Sequence, residues 1–215
     1  DLLNDNHRLV ISLAYRPPYD FDGLLSFYRS HWLGNLEWFE PGKMFRVVQF
    51  GGKVGQVAIS NDAAQSRLMV EIDFPETSAI HAIMTRVRAM FDVDSDPVMI
   101  ANSLEAQTAM KALLKKCPGL RLPSGWDPFE ISIAAILGQL VSVEFGRRLV
   151  SDLIELAGTE SGLQQNGRSI KLFPTPQQIA DTNLTSLRTT KARKKTLLAF
   201  SRAIISGELS LEPTQ

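Results

Sequence analysis

The chain has 215 residues, 44% of them hydrophobic and 21% charged, and its 23 basic side chains balance 23 acidic ones. This composition is typical of a globular protein and excludes disordered, collagen-like and coiled-coil classes. A single cysteine, Cys117, excludes an internal disulfide framework and a cysteine-based zinc cluster. No apolar run is long enough to cross a membrane, so we expect a soluble protein of a reducing compartment, with one large or two small domains.

The neutral total hides an asymmetry between the two halves of the chain. Residues 1–105 carry a net charge of −5 and residues 106–215 a net charge of +5. The basic residues of the second half form two groups: Lys111, Lys115, Lys116 and Arg121, and then Arg188, Lys191, Arg193, Lys194, Lys195 and Arg202. Such clusters fit a polyanionic partner or, as clustering alone slightly favours, a solvated helix face. Charge alone does not decide between them.

The first hundred residues predict a mixture of strands and helices. Alternating residues 7–15 predict a strand, the prolines after it end that strand, and Asp20 is the N-cap of a helix that reaches Trp32. Four further strands are predicted at 36–39, 45–50, 53–60 and 67–74, with a helix at 78–91. Gly51-Gly52 predicts a two-residue hairpin turn, which needs positive φ. The order β-α-β-β-β-β-α indicates an antiparallel sheet with helices on one face.

From residue 96 onward the pattern is helical, and we expect no strand there. Helices are predicted at 97–105, 108–116, 128–138, 143–156, 176–180 and 191–205, with Asp127 and Ser142 as N-caps of the third and fourth. Residues 158–171 are polar and contain glycines, which predicts a loop. The fold class is therefore α+β, with an N-terminal antiparallel sheet followed by an all-α region.

The sequence contains no recognisable catalytic constellation. Its three histidines are widely spaced, and the motifs of nucleotide-binding loops and zinc proteases are absent. Asp92–Asp96 alternates carboxylates as calcium loops do, but it lacks their glycine and distal glutamate, so a helix-capping linker is the better interpretation. We expect neither a metal nor a cofactor.

One connection has the pattern of a nucleic-acid contact. Helix 128–138 ends at a glycine, and Gln139 and Leu140 follow at the tip before the helix that Ser142 caps. A glutamine can hydrogen-bond base edges, and a leucine can insert between stacked bases. In the alternative, Leu140 and Val141 turn inward and pack.

Five segments resemble motifs found in the same order in one family. They are YRPPYD at 15–20, PGLRLP at 118–123, AILGQLVS at 135–142, FPTP at 173–176 and the basic segment 190–197. This family is the AlkA-type 3-methyladenine DNA glycosylases, within the helix-hairpin-helix superfamily, and the resemblance extends from about residue 9 to the end of the chain. It implies a TBP-like N-terminal α+β domain at residues 1–94 and the first, incomplete part of the all-α glycosylase region at 95–215.

The resemblance also implies a function. Such enzymes bend double-stranded DNA, flip out an alkylated base and hydrolyse its N-glycosidic bond without a metal. By this analogy Leu140 is the wedge, Gln139 and Ser142 contact DNA beside it, and Phe27 is an aromatic wall of the base pocket. An aromatic wall suits a cationic alkylated base, since cation–π attraction is worth ~0.5–2 kcal/mol. The implied location is the bacterial cytoplasm, at the nucleoid.

The catalytic machinery implied by the family is expected after residue 215. The helix-hairpin-helix and the catalytic Asp lie there, and none of Asp127, Glu130, Glu144 or Asp152 matches that Asp. Arg188 also departs from the family, which often has glycine at this position. We therefore expect the 215 residues alone to be inactive and to self-associate through exposed apolar helix faces. The alternative is a non-catalytic DNA-binding or regulatory module, possibly fused to an alkylation-response transcription regulator.

Overall fold

The computed structural model describes residues 8–31, 33–105 and 108–211. These residues divide into two compact units: one contains the chain up to Arg29 together with Trp38–Ser124, and the other contains Ser30–Glu37 and the chain from Gly125 onward. Among the described residues, no helix combines the length and the apolar character that spanning a membrane requires. The α+β class predicted from the sequence is confirmed.

The first unit is built on a five-stranded sheet. Its strands are β1 (Arg8–Ala14), β2 (Glu37–Glu40), β3 (Lys43–Phe50), β4 (Lys53–Asp62) and β5 (Arg67–Asp73). They lie in the order β1-β5-β4-β3-β2, and the pairs β1/β5, β5/β4 and β4/β3 are antiparallel. Gly51 and Gly52 both have positive φ, and Phe50 pairs with Lys53 across them, so the predicted tight hairpin is confirmed.

Strand β5 has one face in the core. Along β5, Leu68, Val70 and Ile72 are completely buried while the residues between them are half-buried, which is the two-residue period of a strand with one face in the core. Helix α2 (Ile80–Met90) and, up to Arg29, helix α1 (Phe21–His31) belong to the same unit. Asp20 caps α1 as predicted, because its carboxylate accepts a hydrogen bond from the Gly23 N–H at 2.9 Å. The predicted end of α1, Trp32, lies outside the described residues.

A buried arginine joins the loops of the first unit. Arg121, which the sequence analysis placed in a basic cluster, is only 4% exposed, so it belongs neither to a polyanion-binding surface nor to a solvated helix face. Its guanidinium donates to four backbone carbonyls, those of Arg16, Pro18, Asp92 and Ser95. It also lies over the ring of Tyr19, 4.7 Å from the centroid. Five donors in a planar fork allow one arginine to satisfy several carbonyls at once, which explains why this charge can be buried.

Helices α3 (Pro97–Leu104) and α4 (Thr108–Lys116) complete the first unit. Asp96 caps α3 through the N–H groups of Val98 and Met99, so the helix-capping interpretation of the 92–96 segment holds for this carboxylate. The described residues of these two helices bury no side chain completely. Large apolar side chains are exposed on both: Val98, Met99, Ile100, Leu104 and Leu113.

The second unit is mainly helical. Its helices are α5 (Pro128–Gly138), α6 (Val143–Ala157), α7 (Pro176–Asp181) and α8 (Lys191–Ser206). They enclose a core of fully buried side chains: Ile133, Leu137, Leu149, Leu153, Ile179 and Leu197. The Asp127 and Ser142 caps are present as predicted, with hydrogen bonds of 2.8 Å to the Phe129 N–H and 3.2 Å to the Phe145 N–H.

The prediction that residues 158–171 form a loop is wrong. They form an antiparallel hairpin of β6 (Glu160–Gln165) and β7 (Arg168–Lys171). Asn166 and Gly167 both have positive φ, and Gln165 pairs with Arg168 across them. An Asn-Gly turn is a strong hairpin signal, but the polar, glycine-containing flanks hide the strand period. Only Ile170 of this hairpin is fully buried.

Candidate nucleic-acid interface

The connection between α5 and α6 consists of Gln139–Ser142. Gly138 ends α5, and Ser142 begins α6 by accepting a hydrogen bond from a backbone N–H of its first turn. The two helices approach closely beside this connection, because a Cβ on the buried Gly146 would lie 3.2 Å from the Gly138 Cα. The tip therefore stands on two tightly packed helices rather than on a long loop.

Leu140 projects from this tip into solvent. Its side chain is fully exposed (102%), and its φ of +56° is in the left-handed region. An L-residue in that conformation costs about 1–2 kcal/mol, and leaving a leucine unburied forgoes about 1.5–3 kcal/mol of hydrophobic stabilisation. The alternative in which Leu140 packs inward is excluded. The tip thus carries two unfavourable local features at one residue, a combination that is typical of binding sites.

Neighbouring groups hold the backbone of the tip. The side chain of Arg193, in the first turn of α8, donates a hydrogen bond to the Gln139 carbonyl and a second, at 3.3 Å, to the Thr189 hydroxyl. Val141 is half-buried on the other side of Leu140. Leu140 therefore lies between a residue whose carbonyl is hydrogen-bonded by α8 and a residue that is half-buried.

The other predicted contact residues lie beside Leu140. The Gln139 side chain is exposed, and the Ser142 hydroxyl, although it caps α6, still has its hydrogen available to donate. Val143 and Phe145 in the first turn of α6 are 55% and 37% exposed. The structure therefore brings Gln139, Leu140 and Ser142 together at one surface that has both apolar and polar groups.

Phe27 belongs to the first compact unit. It lies on α1, is 40% exposed, and contacts the Tyr28 ring edge to face at 5.8 Å between centroids. Tyr28 itself is buried, and its hydroxyl donates to the Met90 carbonyl and to the Ser124 carbonyl. Phe27 thus presents part of its aromatic ring to solvent, while the next residue, Tyr28, is buried in the core.

Two of the carboxylates considered in the sequence analysis have structural roles. Asp127 caps α5, and Glu144 forms an exposed ion pair with Arg148 at 3.4 Å. Asp152 is exposed on α6. Among the residues that the structure describes, no group of three or more His, Cys, Asp or Glu side chains is arranged to hold a metal ion.

Comparison with known proteins defines the class of protein. The fold matches that of a 3-methyladenine DNA glycosylase from Archaeoglobus fulgidus with a TM-score of 0.75 and 17% identity, over 89% of this chain and 66% of that one. The chain is thus built on the fold of a DNA glycosylase. Residues 10–127 match the AlkA N-terminal domain family, and the chain belongs to that family.

Curated relatives carry names from the same class. Escherichia coli DNA-3-methyladenine glycosylase 2 is 28% identical over 205 residues, which are 94% of this chain and 70% of that protein. A Mycobacterium tuberculosis protein, "Probable bifunctional transcriptional activator/DNA repair enzyme AlkA", is 24% identical over 94% of this chain. The chain spans only 40% of the length of that second relative.

Proposed function

We propose that this chain is the DNA-distorting part of a repair glycosylase that excises alkylated bases, 3-methyladenine among them, from double-stranded DNA. Leu140 is the wedge that occupies the space of the flipped nucleotide, and Gln139 and Ser142 contact the strands beside it. The observation that carries the proposal is the full exposure of Leu140 at a backbone position with left-handed φ, next to a carbonyl that Arg193 holds by a hydrogen bond. The names of the relatives support the substrate class.

The exposure of Phe27 supports its role as a wall of the base pocket. A cationic alkylated ring gains cation–π attraction from such a wall, whereas its neutral parent does not, so the wall discriminates between damaged and undamaged bases. A positively charged base is also a good leaving group, and the hydrolysis then needs mainly a carboxylate that stabilises the developing positive charge on the sugar.

We assign hydrolysis itself to residues outside the 215 of this chain. Asp127 and Glu144 are engaged in a helix cap and an ion pair, and neither is given the catalytic role here. We expect no release of 3-methyladenine from alkylated duplex DNA by this chain, measured by chromatography of the free base. Measurable release would contradict this assignment.

Insertion of Leu140 can be tested on the chain itself. A duplex with 2-aminopurine next to an abasic site reports loss of stacking as a rise in fluorescence when the protein binds. We expect Leu140→Ala to abolish the rise and Val143→Ala, which shortens another exposed apolar side chain next to the tip, to retain it. An undiminished signal with Leu140→Ala would refute the wedge.

A non-catalytic DNA-binding or regulatory module is the second candidate function. The combined name of the Mycobacterium tuberculosis relative favours it. Such a module binds intact duplexes as tightly as duplexes with an abasic site, whereas a wedge prefers the abasic site. The ratio of the two dissociation constants, measured with the unsubstituted chain, separates the two candidates.

We further propose that the chain self-associates through α3 and α4, with a second copy covering the apolar side chains exposed there. Exposed apolar patches promote such contacts. We expect a dimer or larger species by light scattering, and Met99→Lys should shift it toward monomer. A concentration-independent monomer would contradict this part.

A further inference from the structure

We propose that three exposed cations on α8, Lys191, Lys195 and Arg202, form a phosphate-binding surface that holds the DNA backbone. We call these three residues the basic face. The inference rests on the proposed function, since it names the second contact that a DNA-inserting tip uses. It assigns to α8 a role in DNA affinity that is separate from insertion.

The structure separates the basic face from the other cations of the segment. Residues 182–207 contain six basic residues and no acidic residue. Two of the six have structural partners: Arg193 holds the Gln139 carbonyl, and Lys194 donates to the Thr185 carbonyl at 2.9 Å. A third, Arg188, lines a groove with two carboxylates, those of Asp152 and Glu155.

The remaining three cations are exposed. In the part of the chain that the structure describes, no carboxylate lies within ion-pair distance of Lys191, Lys195 or Arg202. They are separated by four and then seven residues, so they follow one side of the helix over about 16 Å at 1.5 Å per residue. Ala192 and Ala199 are exposed next to them and leave room for another backbone to approach.

The placement of the lysines is unfavourable for the helix alone. Lys191 is the first residue of α8, and no acidic residue lies in the first turn. Positive charge at this end opposes the helix dipole, and Lys191 and Lys195 repel each other at i, i+4. A sequence that breaks two local rules without compensation in the fold indicates a functional surface.

The other basic group of the chain shows the contrast. Lys115 and Lys116 lie in the last turn of α4, where the helix dipole favours cations, and Lys111 lies 3.9 Å from the Glu105 carboxylate. Their positions are explained by the helix itself. The basic face on α8 has no such explanation.

The first turn of α8 is next to the tip. Arg193, in the same first turn as Lys191, contacts the Gln139 carbonyl, and Gln139 precedes Leu140. Arg193 is two residues from both Lys191 and Lys195, so at 3.6 residues per turn it lies on the side of α8 opposite to the basic face. The basic face is therefore a contact surface separate from the tip. Double-stranded DNA carries one phosphate per 3.4 Å on each strand, so about five phosphates of one strand match the length of the face.

The dependence of DNA affinity on salt tests this inference, with a 16-base-pair duplex and fluorescence anisotropy as the readout. Each lost phosphate contact reduces the slope of log K against log salt by about 0.9. We expect Lys191→Ala/Lys195→Ala to reduce the slope by about 1.8. Between 50 and 200 mM salt, the unsubstituted chain should thus lose about 12-fold more affinity than the double variant. Lys115→Ala/Lys116→Ala is the matched control and should leave the slope unchanged.

The outcomes distinguish this inference from the wedge. A reduced slope in Lys191→Ala/Lys195→Ala supports the basic face. If the 2-aminopurine signal is at the same time undiminished in Leu140→Ala, the wedge is refuted while the basic face stands. An unchanged slope in Lys191→Ala/Lys195→Ala overturns the basic face, whether or not Leu140 inserts. Equal reductions in the α4 control, or no DNA binding by the unsubstituted chain at any salt, also overturn it. Circular dichroism of each variant should show the same helix content as the unsubstituted chain.

Discussion

The two compact units differ in an unexpected way in what they bury: the first buries a charged side chain, and the second exposes an apolar one. In the first unit, the guanidinium of Arg121 is 4% exposed, and in the second, the side chain of Leu140 is fully exposed. Four carbonyl acceptors and an aromatic ring surround the arginine, whereas the structure gives the leucine no covering side chain. Hydrogen bonds within the first unit compensate the cost of burying the charge. No contact within the second unit compensates the cost of exposing the leucine.

This difference separates structural from functional residues. Burying a cation is costly unless hydrogen bonds replace its hydration, and both terminal nitrogens of Arg121 meet that condition within the fold, although its Nε has no partner among the described residues. Leu140 meets no comparable condition, because both its positive φ and its exposure are unfavourable and nothing in the unit offsets them. A partner outside the unit supplies the missing compensation in our proposal. The following predictions test each half of the comparison.

Removal of Arg121 should have the largest effect. Arg121→Met leaves four carbonyls of the first unit without their donor, and we expect the free energy of unfolding to fall by about 3–5 kcal/mol. Arg16→Ala is the control, since it removes only the exposed ion pair to Asp96 at 3.3 Å and should cost less than about 1 kcal/mol. Urea denaturation measures both. Equal decreases in the free energy of unfolding for the two variants would mean that the hydrogen bonds of Arg121 stabilise the unit no more than an exposed ion pair does.

Two leucines three residues apart should differ in the second unit. Leu137 is completely buried on α5, and Leu137→Ala should lower the free energy of unfolding by about 3 kcal/mol. Leu140→Ala should change it by less than about 0.5 kcal/mol, because the side chain leaves no cavity. Denaturation of the two variants in parallel tests this. A large loss with Leu140→Ala would show that the tip contributes to folding and would weaken its functional assignment.

Alkaline pH should show the smallest effect, through Tyr19. Burial raises the pKa of the Tyr19 phenol well above its usual range, although the Arg121 charge lowers it, and the hydroxyl donates to the Phe91 carbonyl at 2.6 Å. Above about pH 10 the unfolded chain loses this proton while the folded chain keeps it, so stability falls as pH rises, by up to about 1.4 kcal/mol per pH unit.

Tyr19→Phe should remove this part of the alkaline dependence. The free energy of unfolding of both proteins, measured between pH 9 and 11, gives the contribution of Tyr19 as a difference. Parallel curves for the two proteins would show that the phenol titrates normally in the folded state.

Most helices and strands could be predicted from local signals. The Asp20, Asp127 and Ser142 caps and the Gly51-Gly52 turn each act within a few residues, and all four were predicted correctly. The β6–β7 hairpin was missed because its flanks are polar and only Ile170 is buried, which leaves no apolar period to detect.

The same limit applies to the candidate interface. The sequence indicated the tip, since a glycine stop and a serine cap enclose Gln139 and Leu140. It could not predict that Arg193, more than fifty residues later, holds the Gln139 carbonyl. Nor could it distinguish Lys191 and Lys195 from Arg193 and Lys194, which donate to carbonyls in the fold. A cluster of basic residues has the same sequence pattern whether or not acceptors lie near it.

The sequence by itself determined where most helices and strands begin and end, because caps, turns and apolar periods are interactions between residues close along the chain. Only the tertiary structure decided which residues of each type are buried. Arg121 and Leu140 show this most clearly, since the burial of either depends on acceptors and side chains contributed by distant segments. Those contacts form only when distant segments pack together, and a local sequence pattern does not contain that information.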